Sequence, residues 1–175
     1  NVEIISPEVN NNPNTPKTFN ILSLGDSYTI GESVCTTCRF PEQLKDNLVN
    51  EFNKNDTFSL NVIARTGWTT TNLINAIKNE NLNTDYDLVT LLIGVNNQYQ
   101  NISFSIYETE FPQLINSAIS KAKGDKSNLI VVSIPDYAFT PFGNGNSNIS
   151  VAIDRYNNFA ENYCNANNIS YIYIT

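Results

Sequence analysis

The sequence predicts a three-layer α/β/α domain built on a parallel sheet of five strands. Three observations carry that prediction. From Phe19 onward, short runs rich in β-branched residues and leucine alternate with longer amphipathic stretches, the pattern of strands joined by crossover helices. One run, Leu88-Val89-Thr90-Leu91-Leu92-Ile93, is almost continuously apolar, as a strand covered on both faces must be. The chain has 175 residues, 41% of them hydrophobic, a length that buries about 70% of the surface of the unfolded chain around one core.

Each element has its own warrant. Residues 1–17 carry Pro7, Pro13, Pro16 and an Asn10-Asn11-Asn12 run without hydrophobic period, so they read as a leader or linker before a domain at 18–175. Strands are expected at 19–24, 58–64, 88–93, 129–134 and 171–175, the third of them central. Helices are expected at 41–52, 70–78, 106–123 and 149–167, where apolar residues recur at three and four spacing. Right-handed crossovers between parallel strands then place helices on the two faces of the sheet.

Composition narrows the function classes. Ten Lys and Arg against 17 Asp and Glu leave a net charge of −7, which repels a phosphate backbone and argues against nucleic acid as a partner. No window approaches the roughly 20 apolar residues of a membrane span. Three Cys are too few for a disulfide scaffold or a four-ligand zinc site. Cys35 and Cys38 have C-x-x-C spacing without the strand and helix context of a redox motif, and a local disulfide, with export to an oxidising compartment, is the expectation for them. Cys164 is expected to be a buried small hydrophobe. There is no His and no Met, even at position 1, so a trimmed or processed N-terminus is expected; a periplasmic, lipoprotein or secreted location is expected, with a cytoplasmic one as the alternative.

The chemistry is concentrated in loops that follow strands. The first strand runs into Gly25-Asp26-Ser27-Tyr28-Thr29-Ile30-Gly31-Glu32, the second into Arg65-Thr66-Gly67-Trp68-Thr69, and the third into Gly94-Val95-Asn96-Asn97. Ligands of open α/β sheets bind at the carboxyl ends of strands. Taken singly, Gly25 and Asp26 make a turn, Gly67 is a positive-φ turn residue and Asn96 is a helix N-cap. Taken together, a hydroxyl at Ser27 and donors from Ser27 N–H, Gly67 N–H and the Asn96 amide suit attack on an ester and stabilisation of the oxyanion that forms.

These blocks resemble the SGNH hydrolases, also called the GDSL esterase and lipase family. The likeness extends through Ile93-Gly94-Val95-Asn96-Asn97-Gln98-Tyr99 and Ile134-Pro135-Asp136-Tyr137 to a bacterial branch of it, and spans about residues 20–175. The resemblance implies a flavodoxin-like sheet in order 2-1-3-4-5, hydrolysis of a small-molecule carboxylic ester such as an acetylated carbohydrate or other short acyl ester, and no metal or organic cofactor. It implies Ser27 as nucleophile, Ser27, Gly67 and Asn96 as the oxyanion hole, and Gly25, Asp26 and Asn97 as loop-ordering residues. Two departures stand out. Asn97 replaces the usual Asp, and the final Asp-x-x-His block is not present, so neither the family's His base nor its Asp partner is in these residues. The expectation is that the native chain continues past Thr175 with that block, and that the 175-residue form is inactive or weak. Asp26, Asp136 and Asp154 are the carboxylates that could stand in as base.

Two other readings share the same loops. Ser27, Thr29 and Ser33 around Gly31 could form a phosphate loop for FMN. Alternatively, Trp68, Tyr99, Tyr137 and Phe142 could line the cleft of a non-catalytic module that binds a carbohydrate or acyl ligand, with the 140–148 loop along its wall. The sequence leaves oligomeric state open.

Overall fold

Five of the apolar runs become strands, and their order sets the functional loops side by side. The computed structural model describes residues 15–174 apart from Asn53. Most of the expected leader, residues 1–14, and Thr175 at the end of the expected fifth strand lie outside the described residues. In chain order the elements are β1 (Thr18–Gly25), α1 (Ser27–Ile30), α2 (Phe40–Glu51), β2 (Thr57–Ala64), α3 (Thr70–Asn79), β3 (Leu88–Leu92), α4 (Val95–Tyr99), α5 (Phe104–Lys121), β4 (Leu129–Val132), α6 (Ser147–Asn167) and β5 (Ser170–Ile172). The sheet is parallel throughout, in order β2-β1-β3-β4-β5. Register decides where the site lies: Gly25 pairs with Ala64 on one side and Leu92 on the other. Three strands therefore end level, and their following loops meet at one edge of the sheet.

Right-handed crossovers put α2 on one face and α3, α5 and α6 on the other. The second face holds the core. Leu22 and Leu24 of β1, Val89 and Leu91 of β3, and Leu129 and Val131 of β4 are buried against Leu73, Ile77, Leu114, Ala118, Ile153 and Ala160 from the three helices. At about 25 cal/mol per Å² of apolar surface, this burial is the main force holding the layers together. An aromatic cluster continues it between α5 and α6, with Tyr107 and Tyr156 at 4.6 Å between ring centroids and the Arg155 guanidinium 3.8 Å over Phe104. Among the described residues no helix is long and apolar enough to cross a membrane.

Local hydrogen bonding moves several boundaries from the expected ones. The fourth strand stops at Val132, short of 134, because the Asn157 side chain takes both the N–H and the carbonyl of Ile134, each at 2.9 Å. That exchange replaces the ladder bonds and turns the chain away from the sheet. Two expected loops are short helices. Asp26 caps α1 by accepting from Tyr28 N at 3.1 Å, and Gly31, at φ 78°, closes it. Gly94, at φ 134°, launches α4; a Cβ there would come within 2.7 Å of the Tyr107 ring.

Thr69 closes a capping box at the start of α3: its hydroxyl accepts from Asn72 N at 3.4 Å, and its N–H donates to Asn72 Oδ1 at 3.0 Å. Thr69→Ala is expected to cost about 1 kcal/mol, read as a lower urea midpoint at unchanged slope.

Candidate active site

Ser27 is the first residue of α1, directly after the buried Asp26. Its carbonyl accepts from Gly31 N at 3.0 Å and Glu32 N at 2.9 Å, while Asp26 O accepts from Thr29 N and Ile30 N. The turn is thus fixed by backbone bonds on both sides of Ser27. Gly25 is required in front of it, since a Cβ there would collide with Thr29 Oγ1 and the Leu92 carbonyl. The Ser27 N–H, first in its helix, has no intrahelical acceptor.

The second and third loops are stapled to each other by α4. Gln100 Nε2 donates to Gly67 O at 2.9 Å, and Asn96 Nδ2 donates to Trp68 O at 3.0 Å. An amide nitrogen carries two hydrogens, so this bond leaves Asn96 a second donor. Gly67 takes φ 81° in open space, a left-handed conformation that costs a residue with a Cβ about 1–2 kcal/mol. Asn97 is buried and grips the start of α3: its Oδ1 accepts from Thr70 N at 2.9 Å and its Nδ2 donates to Thr70 Oγ1 at 2.7 Å. Glu110 of α5 in turn accepts from the hydroxyls of Thr70 and Thr71.

Ser27, Gly67 and Asn96 line one cavity of about 470 Å³ at the ends of β1, β2 and β3. The structure therefore brings the three expected oxyanion residues together, with Gly25, Asp26 and Asn97 behind them. Of the aromatics expected to line the cleft, Tyr99, Tyr137 and Phe142 do so. Trp68 does not: it packs against the core and gives the site only its backbone carbonyl. The carboxylates considered as a replacement base are placed elsewhere. Asp136 accepts from Ala138 N and Ser150 Oγ at 2.8 and 2.6 Å, Asp154 is exposed on α6, and Asp26 points into the turn. The hydroxyl trio of the FMN reading is also broken, because Thr29 is fully buried.

The sequence model of the GDSL-like lipase/acylhydrolase family matches residues 23–174, most of the chain. The chain belongs to this family. The family is one of lipases and acylhydrolases, which supports ester hydrolysis as the general class of activity for this chain. Its fold is shared with a lipase/acylhydrolase from Enterococcus faecalis (TM-score 0.65, 17% identity, 87% of this chain and 74% of that one). A lipolytic protein of the G-D-S-L family from Veillonella parvula is similar at TM-score 0.61, 17% identity, 87% and 76% coverage. An acetylxylan esterase from Geobacillus stearothermophilus matches at 0.61, 14%, 87% and 74%. No curated protein matches the chain.

The cleft of this GDSL-like family member has features that sequence reasoning missed. Tyr28 and Glu32 also line the cavity; they do so because residues 27–30 are helical, which puts Glu32 one turn beyond Ser27. Reading Asp26 as a cap and Gly31 as a left-handed stop was the available signal. Glu32 accepts a hydrogen bond from Thr66 Oγ1 across the cleft. Cys35 and Cys38 are disulfide-bonded in the exposed segment that follows this wall, and Cys164 is buried with its thiol pushed up to about 12 by burial. Burial likewise raises the Tyr28 and Tyr137 hydroxyls above their ordinary values, with the Asp26 charge adding to the first. Asp26 itself is pushed up to about 7 by burial, against the lowering effect of backbone N–H donors. Among the described residues no three His, Cys, Asp or Glu side chains form a group that could hold a metal.

Proposed function

We propose that the domain hydrolyses a short acyl ester of a small molecule, an acetylated carbohydrate among the candidates, through an acyl-enzyme on Ser27. The observation that carries this reading is the convergence of Ser27, Gly67 and Asn96 in one cleft. Ser27 Oγ attacks the carbonyl carbon and gives its proton to an imidazole base, which the family's Asp-x-x-His block supplies and these 175 residues do not contain. The oxyanion is met by the N–H groups of Ser27 and Gly67 and the second Asn96 N–H. Collapse expels the alcohol, and water then releases the acid by the same steps. Gly25 and Asp26 hold the nucleophile turn and Asn97 holds the Gly67 loop. The Cys35–Cys38 disulfide supports an exported protein.

These 175 residues hold no His, which favours a second reading, a module that binds an acyl or carbohydrate ligand without turnover. Free imidazole separates the two, because it can take the Ser27 proton. With p-nitrophenyl acetate and imidazole, peptide mass spectrometry is expected to find an acyl group on Ser27, and Ser27→Ala to abolish it. Acylation confined to other residues would leave the binding module as the reading.

A further inference from the structure

We infer that the cleft selects esters carrying an alkylammonium group and disfavours anionic ones. This rests on the reading of the cleft as an ester site, and adds the charge of the substrate. The observation is the makeup of its walls. Among the described residues Glu32 is the one charged side chain that lines the cavity, and no Lys or Arg does. Arg39, close in sequence, is not among the lining residues and pairs with Glu42 at 3.0 Å. The Glu32 carboxylate accepts from the Thr66 hydroxyl, and both residues line the cavity with Ser27.

Four of the other residues that line the cavity are aromatic, among neutral ones such as Ser33, Thr66, Val95 and Gln100. Tyr28, Tyr99, Tyr137 and Phe142 all line the cavity, and the first two and Phe142 are 42%, 55% and 82% exposed. Tyr137 is fixed by donating its hydroxyl to Gln98 Oε1 at 2.5 Å and by an edge contact with Tyr99 at 5.7 Å. The negative faces of aromatic rings attract a cation, and an alkylammonium adds methyl groups that such rings cover without demanding hydrogen bonds. A carboxylate beside them strengthens the attraction and opposes an anion. Carboxylate or phosphate groups on a substrate would meet no compensating cation among the described lining residues.

Choline, its uncharged carbon isostere neohexyl alcohol, and the anion tert-butylacetate share a shape and differ in charge. None is an ester, so calorimetric titration of the 175-residue protein reads binding without turnover. Choline is expected to bind about tenfold or more tightly than neohexyl alcohol, with tert-butylacetate weakest. Glu32→Gln is expected to bring choline to within about threefold of the alcohol, and Phe142→Ala, at an exposed position, to weaken both without lowering Tm. Equal binding of choline and the alcohol, no saturable choline binding, or a preference that survives Glu32→Gln would overturn the inference. Acylation of Ser27 by p-nitrophenyl acetate with free imidazole in that case keeps the proposed function. Choline selectivity without any acylation of Ser27 keeps the cation site and removes the catalytic reading.

Discussion

A polypeptide of these 175 residues is expected to hydrolyse a short acyl ester about a million-fold more slowly than a hydrolase whose serine has its base, and Ser27→Ala is expected to leave that slow rate unchanged. Both halves follow from the same chemistry. A serine hydroxyl is a weak nucleophile until an imidazole takes its proton, and the sequence contains no His. Residues that act as one unit are not additive, so once the base is missing the hydroxyl contributes nothing further. What persists is the roughly 10³- to 10⁴-fold advantage over water that an oxyanion hole and binding supply without a triad. Asn96→Ala is therefore expected to lower the remaining rate by about 10²- to 10³-fold, where Ser27→Ala does not. The carboxylates do not change this. Asp136 is held by two donors, Asp26 is behind the turn, and Glu32, which does line the cleft, is engaged by Thr66. The measurement is steady-state hydrolysis of p-nitrophenyl acetate by protein of verified mass. A kcat of about 1 s⁻¹ or more that disappears in Ser27→Ala would overturn the expectation.

The sheet was readable because its information is local. Leu88 to Leu92 is apolar at every second position and nearly so between, and β3 is indeed the middle strand. Strand order was not local; it came with the family resemblance, and β2 at the edge shows it only in its alternating exposure. The loops at the strand ends were legible from Gly25, Gly67 and Asn96, whose residue types suit sharp turns and oxyanion donors. Long-range contacts were not. Nothing near Asn97 in sequence announces that it will clasp Thr70, or that Glu110, 40 positions from Thr70, will brace that threonine from another helix. The same limit misplaced Trp68. Its position beside Gly67 suggested a cleft aromatic, but burying so large an apolar ring against the core is the stronger demand. Tyr28 took the exposed place because one turn of helix, set by the Asp26 cap, carries it outward.

That cap gives the second large effect: Asp26→Asn is expected to be increasingly more stable than the natural protein as pH rises from 4 to 8, by about 4 kcal/mol over the range. Asp26 is fully buried, and its Oδ2 has no hydrogen-bond partner among the described residues. Burial moves its carboxyl from an ordinary 3.8 to about 7, partly offset by the N–H donors of Tyr28 and of Asp26 itself. Below pH 4 the group is neutral folded and unfolded, and it costs nothing. Between pH 4 and 7 the unfolded chain releases the proton while the folded one keeps it, so the unfolded state binds fewer protons and stability falls as pH rises. Above pH 7 both forms are ionised and the loss is complete. About three decades of proton affinity at about 1.4 kcal/mol each give the 4 kcal/mol. An Asn side chain keeps an Oδ1 to accept from Tyr28 N and has no charge to bury, so it removes the slope while leaving the turn capped. Urea unfolding of both proteins at several pH values reads the difference directly, and parallel stability curves would refute it. The consequence reaches Ser27, because the titrating group is the cap of its helix: ionisation of Asp26 places an unpaired negative charge beside the N–H that is to meet an oxyanion. The binding of an oxyanion analogue should therefore weaken over the same pH range in which stability is lost, and should not do so in the Asn variant.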